Sequence, residues 1–186
     1  TTRGDRLFTF SSARKRMSVV LANGEFGAAS SGIIYTKGAA EIILGCCENY
    51  IDLNGAEKKL TPQVRAQILT AIENMAKNAL RAIALAHRPV SKLTGKETPE
   101  ELEQGLTIDA IFGIKDPLRP DVKDAVEKCQ HAGIFVRMVT GDNIDTAKAI
   151  AAECGILTDN GIAMEGPAFR KLTPAQLDAV LPNLQV

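Results

Sequence analysis

Short apolar runs separated by polar stretches occupy the first part of the chain. The runs at 7–10, 17–21 and 32–36 combine β-branched, aromatic and other apolar residues, which favours strands. A basic stretch at 11–16 separates the first two runs, and a stretch at 22–31 that contains glycine and serine predicts a turn region. This pattern predicts an antiparallel sheet.

A helical spacing of apolar residues replaces the strand pattern further along. Residues 39–47 are typical of a short helix, and Leu53-Asn54-Gly55 is typical of a turn. Thr61-Pro62 then supplies a hydroxyl N-cap and a proline at the first helical position, which predicts the start of the longest helix. A strand near 81–87 and a polar, acidic surface loop at 91–104 follow. The apolar face of the long helix consists of Val64, Ile68, Ile72, Met75, Ala76 and Ala79.

The order of the predicted elements changes in the second part of the chain. Strand and helix alternate there, which is typical of a doubly wound parallel sheet with crossover helices. We place a domain boundary near Lys115, so that 1–115 form an α+β domain and 116–186 belong to an α/β domain. The predicted elements are a strand at 108–114, a helix at 121–131, a strand at 134–139 and a helix at 142–154.

Polar residues follow the predicted strand at 134–139 directly. Thr140, Gly141 and Asp142 would lie at the carboxyl end of that strand, where open α/β sheets bind ligands. The Thr140 hydroxyl and the loop amides can hold a phosphoryl oxygen at a helix N-terminus, and Asp142 can face Mg²⁺ or a cationic side chain. The alternative is an ordinary capping loop, with Asp142 or Asn143 as the N-cap.

Phe10 precedes the basic stretch in a chain that has only 4% aromatic residues. An adenine ring can stack on an exposed phenyl ring, with a stabilisation of roughly 1–3 kcal/mol, and Lys15 can reach a nucleotide from the same side. The alternative is that Phe10 belongs to the core and that the cations lie on a solvated turn.

Two further cations follow strand signals. Lys37 precedes Gly38 between a strand and a helix, where the missing side chain lets a ligand approach the backbone and the ammonium can meet a phosphate. Arg81 opens a predicted strand and can bind phosphate in a bidentate manner, or it can form a surface ion pair.

Composition limits the class of protein. The 186 residues are 45% hydrophobic and 24% charged, with a formal net charge of +0, so neither nucleic acid nor an anionic membrane is the expected partner. The four cysteines form no Cys-x-x-Cys pair and the two histidines lie far apart, so we expect no metal site and a reducing, cytosolic environment. The chain has no apolar run that could span a bilayer, and it begins Thr1-Thr2-Arg3, as a part of a longer protein would.

Five segments together resemble the P-type cation-transporting ATPases, and in particular the plasma-membrane and autoinhibited calcium pumps. They occur in the family's order and extend across nearly the whole chain. The segments are Phe10-Ser11-Ser12-Ala13-Arg14-Lys15-Arg16-Met17-Ser18, Lys37-Gly38-Ala39-Ala40-Glu41, Leu80-Arg81, Asp116-Pro117-Leu118-Arg119-Pro120 and Met138-Val139-Thr140-Gly141-Asp142-Asn143.

The resemblance implies an ATP site in the first domain. Phe10 matches the aromatic residue that stacks on adenine, and Lys15 matches a lysine that lines the nucleotide pocket. Lys37 and Gly38 match the Lys-Gly-Ala motif at the back of that pocket. Arg81 matches an arginine that contacts the phosphates of ATP.

The resemblance also assigns the second domain, which would be part of a phosphorylation domain similar to the haloacid-dehalogenase fold. Asp116 and Arg119 match the hinge between the nucleotide-binding and phosphorylation domains. Thr140, Gly141 and Asp142 match the loop that receives the γ-phosphate, and Mg²⁺ is the expected cofactor beside ATP.

Two motifs of the family are absent from these 186 residues: the Asp-Lys-Thr-Gly-Thr segment that carries the phosphorylated aspartate, and the later Thr-Gly-Asp-Gly-x-Asn-Asp segment. We therefore expect the chain to bind ATP without hydrolysing it. The expected partners are ATP and the remaining domains of the same pump, on the cytoplasmic face of a membrane. Calmodulin, known in the resembling branch, would bind outside these residues.

Two alternatives stay open. A soluble phosphatase with the dehalogenase-like fold would need a nucleophile that the chain does not contain, and it leaves Phe10 to Arg81 unexplained. A non-catalytic interaction module would bind no nucleotide.

Overall fold

The computed structural model describes residues 5–23 and 31–186. These residues form two compact units, each with a hydrophobic cluster of its own. The first unit contains the residues up to Ile72 together with Ala82–Gly113, and the second contains Glu73–Arg81 together with Ile114–Val186. The predicted turn region at 22–31 lies largely outside the described residues.

Seven strands form one sheet, in the order β1-β2-β3-β6-β7-β4-β5. Every strand and helix predicted for residues 7–87 is confirmed, with bounds that shift by a few residues. The elements are β1 (Arg6–Ser11), β2 (Arg16–Ala22), β3 (Ser31–Ala39), α1 (Ala40–Cys46), β4 (Cys47–Ile51), β5 (Glu57–Lys59), α2 (Pro62–Lys77), β6 (Leu80–Ser91), α3 (Pro99–Leu102) and β7 (Leu106–Lys115).

The sheet is mixed, whereas the sequence predicted an antiparallel one. The pairs β1–β2, β2–β3, β3–β6 and β4–β5 are antiparallel, but β4 and β7 run parallel. A parallel pair needs a long connection, and the chain between β4 and β7 supplies it because it contains α2 and β6. The described residues therefore form a mixed α/β structure.

Side chains alternate between a buried and an open face along the central strands, as the pleat of a strand requires. On one face Val20, Ile34 and Ala84 are fully buried, and Ile43 of α1 and Ile72 of α2 belong to the same cluster. The opposite face keeps large apolar side chains accessible, namely Leu21 (45% exposed), Tyr35 (44%) and Leu85 (37%). The open face is thus the part of the sheet that is available to a ligand.

The prediction of a plain surface loop at 91–104 is wrong. This segment contains the short helix α3, which begins with a capping box between Thr98 and Glu101. Leu93 and Glu103 are fully buried, and Leu102 is 4% exposed. The polar composition concealed these residues, since burial of the Glu103 carboxylate depends on partners far away in the sequence.

Four helices follow β7, and the two of them that the sequence predicted are confirmed. Gly133 and Gly155 follow them with φ angles of 75° and 77°, a left-handed conformation that ends helices and favours glycine. Over the described residues, no helix combines the length and apolar character needed to cross a membrane. The helices are α4 (Val122–His131), α5 (Ile144–Glu153), α6 (Gly166–Phe169) and α7 (Pro174–Val180).

The predicted strand at 134–139 is wrong, and the described residues of the second unit do not form the predicted doubly wound parallel sheet. The Met138 amide donates to the Gln185 carbonyl at 2.9 Å, but no ladder of such bonds develops along the segment within the described residues. Ile134 (56%) and Val139 (96%) are exposed. An apolar run becomes a strand only where a neighbour satisfies its backbone groups along its length.

The four cysteines should differ sharply in reactivity. Burial raises the pKa of the Cys46 and Cys154 thiols and raises that of Cys47 to about 12, while Cys129 is partly accessible. Since the thiolate is the reactive form, we expect a thiol reagent at pH 8 to label Cys129 first in the native protein.

Labelling of all four thiols at one rate in denaturant is the reference for that measurement. Cys129→Ser should remove the fast native phase. Fast native labelling of two or more thiols would contradict the burial of the other three.

Candidate functional site

Phe10 lies near the end of β1 with 61% of its side chain exposed. The alternative that it belongs to the core is wrong, whereas Phe8, two residues earlier, does pack against the buried cluster. The pairing register of β1 with β2 shifts between Phe8 and Ser11, and this irregularity breaks the alternation that would have turned both rings to the same face. An accessible phenyl ring is therefore present beside the β1–β2 turn.

Lys15 occupies that turn and is exposed. Its φ angle of 51° is left-handed, which is uncommon for a residue with a side chain. The Lys15 amide donates to the Ser11 carbonyl at 2.8 Å, and the Arg14 amide donates to the Ser11 hydroxyl at 3.2 Å. These bonds fix the turn that separates Phe10 from β2.

Gly38 makes room for the same turn. The Ala39 amide donates to the Lys15 carbonyl at 3.1 Å, and a Cβ placed on Gly38 would lie 2.5 Å from that oxygen and 2.8 Å from the Arg16 Cα. The close approach at Gly38 is one between two segments of the chain. A role of Gly38 toward a ligand stays a prediction.

Lys37 lies on the open face of the sheet and borders a cavity of about 350 Å³. A volume of this size is at the lower end of the range for small-molecule sites, roughly 300–1,000 Å³. Neither Phe10 nor Lys15 is among the lining residues, although Met17, the partner of Lys37 in the strand pairing, is one. The lining residues are Met17, Ser18, Val19, Tyr35, Thr36, Lys37, Leu85, Ala86 and Asp109.

Tyr35 and Asp109 are among the polar residues of this cavity that the sequence interpretation missed. Tyr35 precedes Lys37 by two positions and shares its face, which the period of a strand could have revealed. Asp109 on β7 places a carboxylate in a wall whose accessible surface is mainly apolar, and its Oδ1 lies 2.7 Å from Nδ1 of His87. The cavity therefore offers an apolar surface with a cation and an anion at its boundary.

Arg81 and Asp142, both in the second unit, form a bidentate ion pair. Nε of Arg81 donates to Oδ1 of Asp142 at 2.8 Å, and Nη2 donates to Oδ2 at 2.9 Å. These hydrogen bonds raise the pKa of the Arg81 guanidinium above its ordinary value, and the charge of Asp116 contributes to a lesser extent. The sequence predicted either Mg²⁺ or a cationic side chain as the partner of Asp142, and the structure shows a cationic side chain, that of Arg81.

The polar groups of the loop before α5 have two roles, namely capping the helix and contacting Asp142. Asn143 is the N-cap of the helix and accepts from the Asp145 amide at 2.8 Å, so the capping interpretation holds for Asn143. Thr140 accepts from the Asp142 amide at 3.1 Å and donates to the Asp142 carboxylate at 3.2 Å. Because Asn143 caps the helix, the Asp142 carboxylate is left to pair with Arg81, and Gly141 is exposed.

Asp116 and Arg119, the predicted hinge residues, lie in the irregular segment that follows β7, and both side chains are exposed. The Arg119 carbonyl accepts from the Val122 amide at 3.1 Å, just before α4. Their role as a hinge stays a prediction.

Residues 5–121 match the family model described as the P-type ATPase cytoplasmic domain N. The chain belongs to the P-type ATPase family. This confirms the resemblance drawn from the five sequence segments. The matched range includes the β1–β2 turn, Lys37 and Arg81.

Curated relatives of this P-type ATPase chain are named as calcium-transporting ATPases. Calcium-transporting ATPase PAT1 of Dictyostelium discoideum is 49% identical over 182 residues, or 97% of the chain. Plasma membrane-type calcium-transporting ATPase 4 of Arabidopsis thaliana is 47% identical, and plasma membrane-type calcium-transporting ATPase 1 of Oryza sativa subsp. japonica is 48% identical, each over 177 residues and 95% of the chain. The chain spans 16% of the length of each of these relatives.

Gly38→Ala should lower the free energy of unfolding by about 1–3 kcal/mol, because its Cβ would press on the backbone of the β1–β2 turn. Urea denaturation followed by circular dichroism measures this change. Gly45→Ala in α1 is the matched control, since a Cβ there meets nothing within 4 Å. It should leave stability unchanged or raise it by up to about 1 kcal/mol. Equal stabilities of the two variants would contradict the close approach at Gly38.

Proposed function

We propose that the chain is the ATP-binding part of the cytoplasmic region of a calcium-transporting P-type ATPase. The intact protein would couple ATP hydrolysis, through an aspartyl phosphate, to calcium transport across a membrane. Residues 1–115 would belong to the nucleotide-binding domain. Residues 116–186 would be part of a phosphorylation domain of the haloacid-dehalogenase type, whose parallel sheet they do not form by themselves. The names of the relatives and the family match to domain N support this assignment.

The observation that carries the proposal is the position of Lys37 at the edge of an apolar cavity on the open face of the sheet. ATP combines a flat, weakly polar base with an anionic tail, and this site pairs an apolar surface with an ammonium group. The ammonium is suited to an anion as a point charge. The exposed ring of Phe10 lies at the end of β1, beside the turn that contains the exposed Lys15. That turn packs against Gly38, the next residue after Lys37. We assign Phe10 to base stacking, and Lys15 and Lys37 to the remainder of the nucleotide.

Arg81 is assigned to the phosphates. Its guanidinium is oriented by Asp142 through Nε and Nη2, and Nη1 makes no hydrogen bond to the described residues. Nη1 can therefore donate to a phosphate oxygen while the ion pair persists. A charge-assisted hydrogen bond of this kind is roughly twice as strong as a neutral one.

Phosphoryl transfer would then use residues from the second unit and beyond. The nucleophile would be the carboxylate of the Asp-Lys-Thr-Gly-Thr segment, which these 186 residues lack. It would attack the γ-phosphorus, ADP would leave, and water would later cleave the acyl phosphate. We assign Thr140 and Gly141 to the transferring group, and Asp116 and Arg119 to the hinge that brings the two domains together.

Mg²⁺ would enter with the phosphates of ATP, where its charge offsets theirs. Within 5–23 and 31–186, no three His, Cys, Asp or Glu residues are grouped as a metal site would require. Asp142 is occupied by Arg81. We therefore assign no residue of the chain as a resident metal ligand. The remaining domains of the pump are the expected partners, and any calmodulin site would lie elsewhere in the protein.

The chain should bind ATP weakly, and Phe10→Ala should nearly abolish this weak binding because it removes the stacking surface, worth roughly 1–3 kcal/mol. Lys37→Ala should weaken binding by about 1–3 kcal/mol if the ammonium bonds the nucleotide directly. Isothermal titration of ATP into each variant measures both effects.

Two control variants match these changes. Phe112→Ala removes a phenylalanine of β7 that is 52% exposed, and Lys96→Ala removes an exposed lysine of the same unit. Both should bind ATP as the unaltered chain does. Unchanged affinity in Phe10→Ala and Lys37→Ala would refute the site, and no binding by the unaltered chain would favour an interaction module.

ATP turnover by the chain alone should be zero, since it contains no aspartate in the Asp-Lys-Thr-Gly-Thr motif. Phosphate release measured at saturating Mg-ATP should equal that of buffer. Release that disappears in Asp142→Asn would instead support a phosphatase that uses the residues present here.

A further inference from the structure

Glu103 is a fully buried carboxylate directly after α3. A charge in this position is strongly unfavourable unless several donors replace its lost hydration. Three side chains do so. Oε1 accepts from Nη1 of Arg14 at 2.5 Å and from the Ser18 hydroxyl at 2.6 Å, and Oε2 accepts from Nε of Arg16 at 2.6 Å.

The two arginines extend these contacts to the backbone of the β1–β2 turn. Nη2 of Arg14 donates to the Thr9 carbonyl at 2.7 Å, and Nη1 of Arg16 donates to the Arg14 carbonyl at 3.4 Å. Thr9 immediately precedes Phe10, and Arg14 and Arg16 flank Lys15. Through the two arginines, the Glu103 carboxylate thus restrains the backbone on both sides of Phe10 and Lys15, which are assigned to the nucleotide.

This arrangement divides the basic stretch into two kinds of cation. The side chains of Arg14 and Arg16 are 18% and 13% exposed and are directed to Glu103. Lys15 between them is exposed and forms no ion pair with the described residues. Without a carboxylate between them, Arg14 and Arg16 would repel each other beside a residue that already holds a left-handed φ angle of 51°.

The ionisation state of Glu103 is consistent with this role. Burial alone would raise the pKa of the carboxyl, but the hydrogen bonds from Ser18, Arg14 and Arg16 outweigh it and hold the pKa below its ordinary value. Glu103 is therefore charged at neutral pH.

We propose that Glu103 is a positioning residue for the nucleotide, which holds the β1–β2 turn so that Phe10 and Lys15 are presented to ATP. The proposal rests on the function proposed above and extends it to a residue that does not itself touch the ligand.

Glu103→Gln tests the proposal because the loss of charge and the loss of positioning would change the affinity for ATP in opposite directions. Removal of a negative charge near a site for an anion should by itself strengthen ATP binding slightly. Loss of positioning should weaken it, and we expect a dissociation constant raised on the order of tenfold. Glu100→Gln, an exposed acid in the same segment, shows the bare effect of the charge and should not weaken binding.

The ATP titrations are carried out at a temperature at which circular dichroism shows that each variant is folded. Hydrogen exchange then separates a local role from a global one. In Glu103→Gln, the Lys15 and Ala39 amides, which are bonded within and against the turn, should exchange faster, while the amides of α2 should keep their protection.

Arg14→Lys is a second variant that keeps every charge and is milder for folding. It cannot reach Glu103 and the Thr9 carbonyl together, so ATP binding should again weaken, by several-fold. A double-mutant cycle on ATP affinity adds a measurement that general destabilisation of the protein would not change. The effect of Glu103→Gln should shrink when Lys15 is already Ala and should persist when Lys37 is already Ala.

The outcomes separate this inference from the proposed function. If the unaltered chain does not bind ATP, the proposed function fails and the positioning role fails with it. If the unaltered chain binds and both Glu103→Gln and Arg14→Lys bind equally well, the positioning role alone is overturned. Two further outcomes overturn the positioning role, because a purely structural role of Glu103 predicts them. In the first, Glu103→Gln weakens ATP binding and all amides exchange faster. In the second, Glu103→Gln weakens ATP binding equally whether Lys15 or Lys37 is already Ala.

Discussion

The two-sided character of the sheet is the constraint on which the rest of the structure depends. Alternate residues of β2, β3 and β6 point to opposite faces, and Val20, Ile34 and Ala84 seal one of them against α1 and α2. The other face is therefore committed to solvent or ligand. Lys37 lies there because it is an odd number of positions from Ile34. A shift of register by one residue would bury its ammonium and expose the core.

The β1–β2 turn depends on that sheet in a different way. It approaches β3 at Gly38, where no side chain intervenes, and a carboxylate from a distant part of the chain pairs with its two arginines. Lys15 has a left-handed φ angle, which a residue with a side chain rarely adopts, so the local sequence does not favour this turn. Its conformation follows from contacts supplied by the surrounding fold.

Local pattern predicted α1, α2, α4, α5 and most strands, since amphipathic spacing and capping residues act over a few positions. Thr61-Pro62 and the glycines after α4 and α5 marked real boundaries. The errors concern contacts between distant residues. The apolar run at 134–139 lacks a neighbouring strand in the described part of the chain, and β4 pairs in parallel with a strand more than fifty residues later. The 91–104 segment was predicted as a loop because the two arginines that pair with Glu103 are 89 and 87 positions away.

The candidate site shows the same division. The place of Lys37 near the end of a strand agrees with what its neighbours in sequence suggest, whereas those of Phe10 left both a core and an exposed position open. The sequence could not separate Lys15 from Arg14 and Arg16, because equal charges in a row give no sign of which are already paired. Asp109 was missed because it comes from β7, and only strand order brings it to the face of Lys37.

The bidentate pair between Arg81 and Asp142 has a consequence for recognition. A free arginine side chain samples many rotamers, and ordering it against a ligand is entropically unfavourable. Here two hydrogen bonds to Asp142 orient the guanidinium. Under the proposed function, a phosphate that binds to the remaining edge would meet a guanidinium that Asp142 already orients, so less side-chain entropy would be lost on binding.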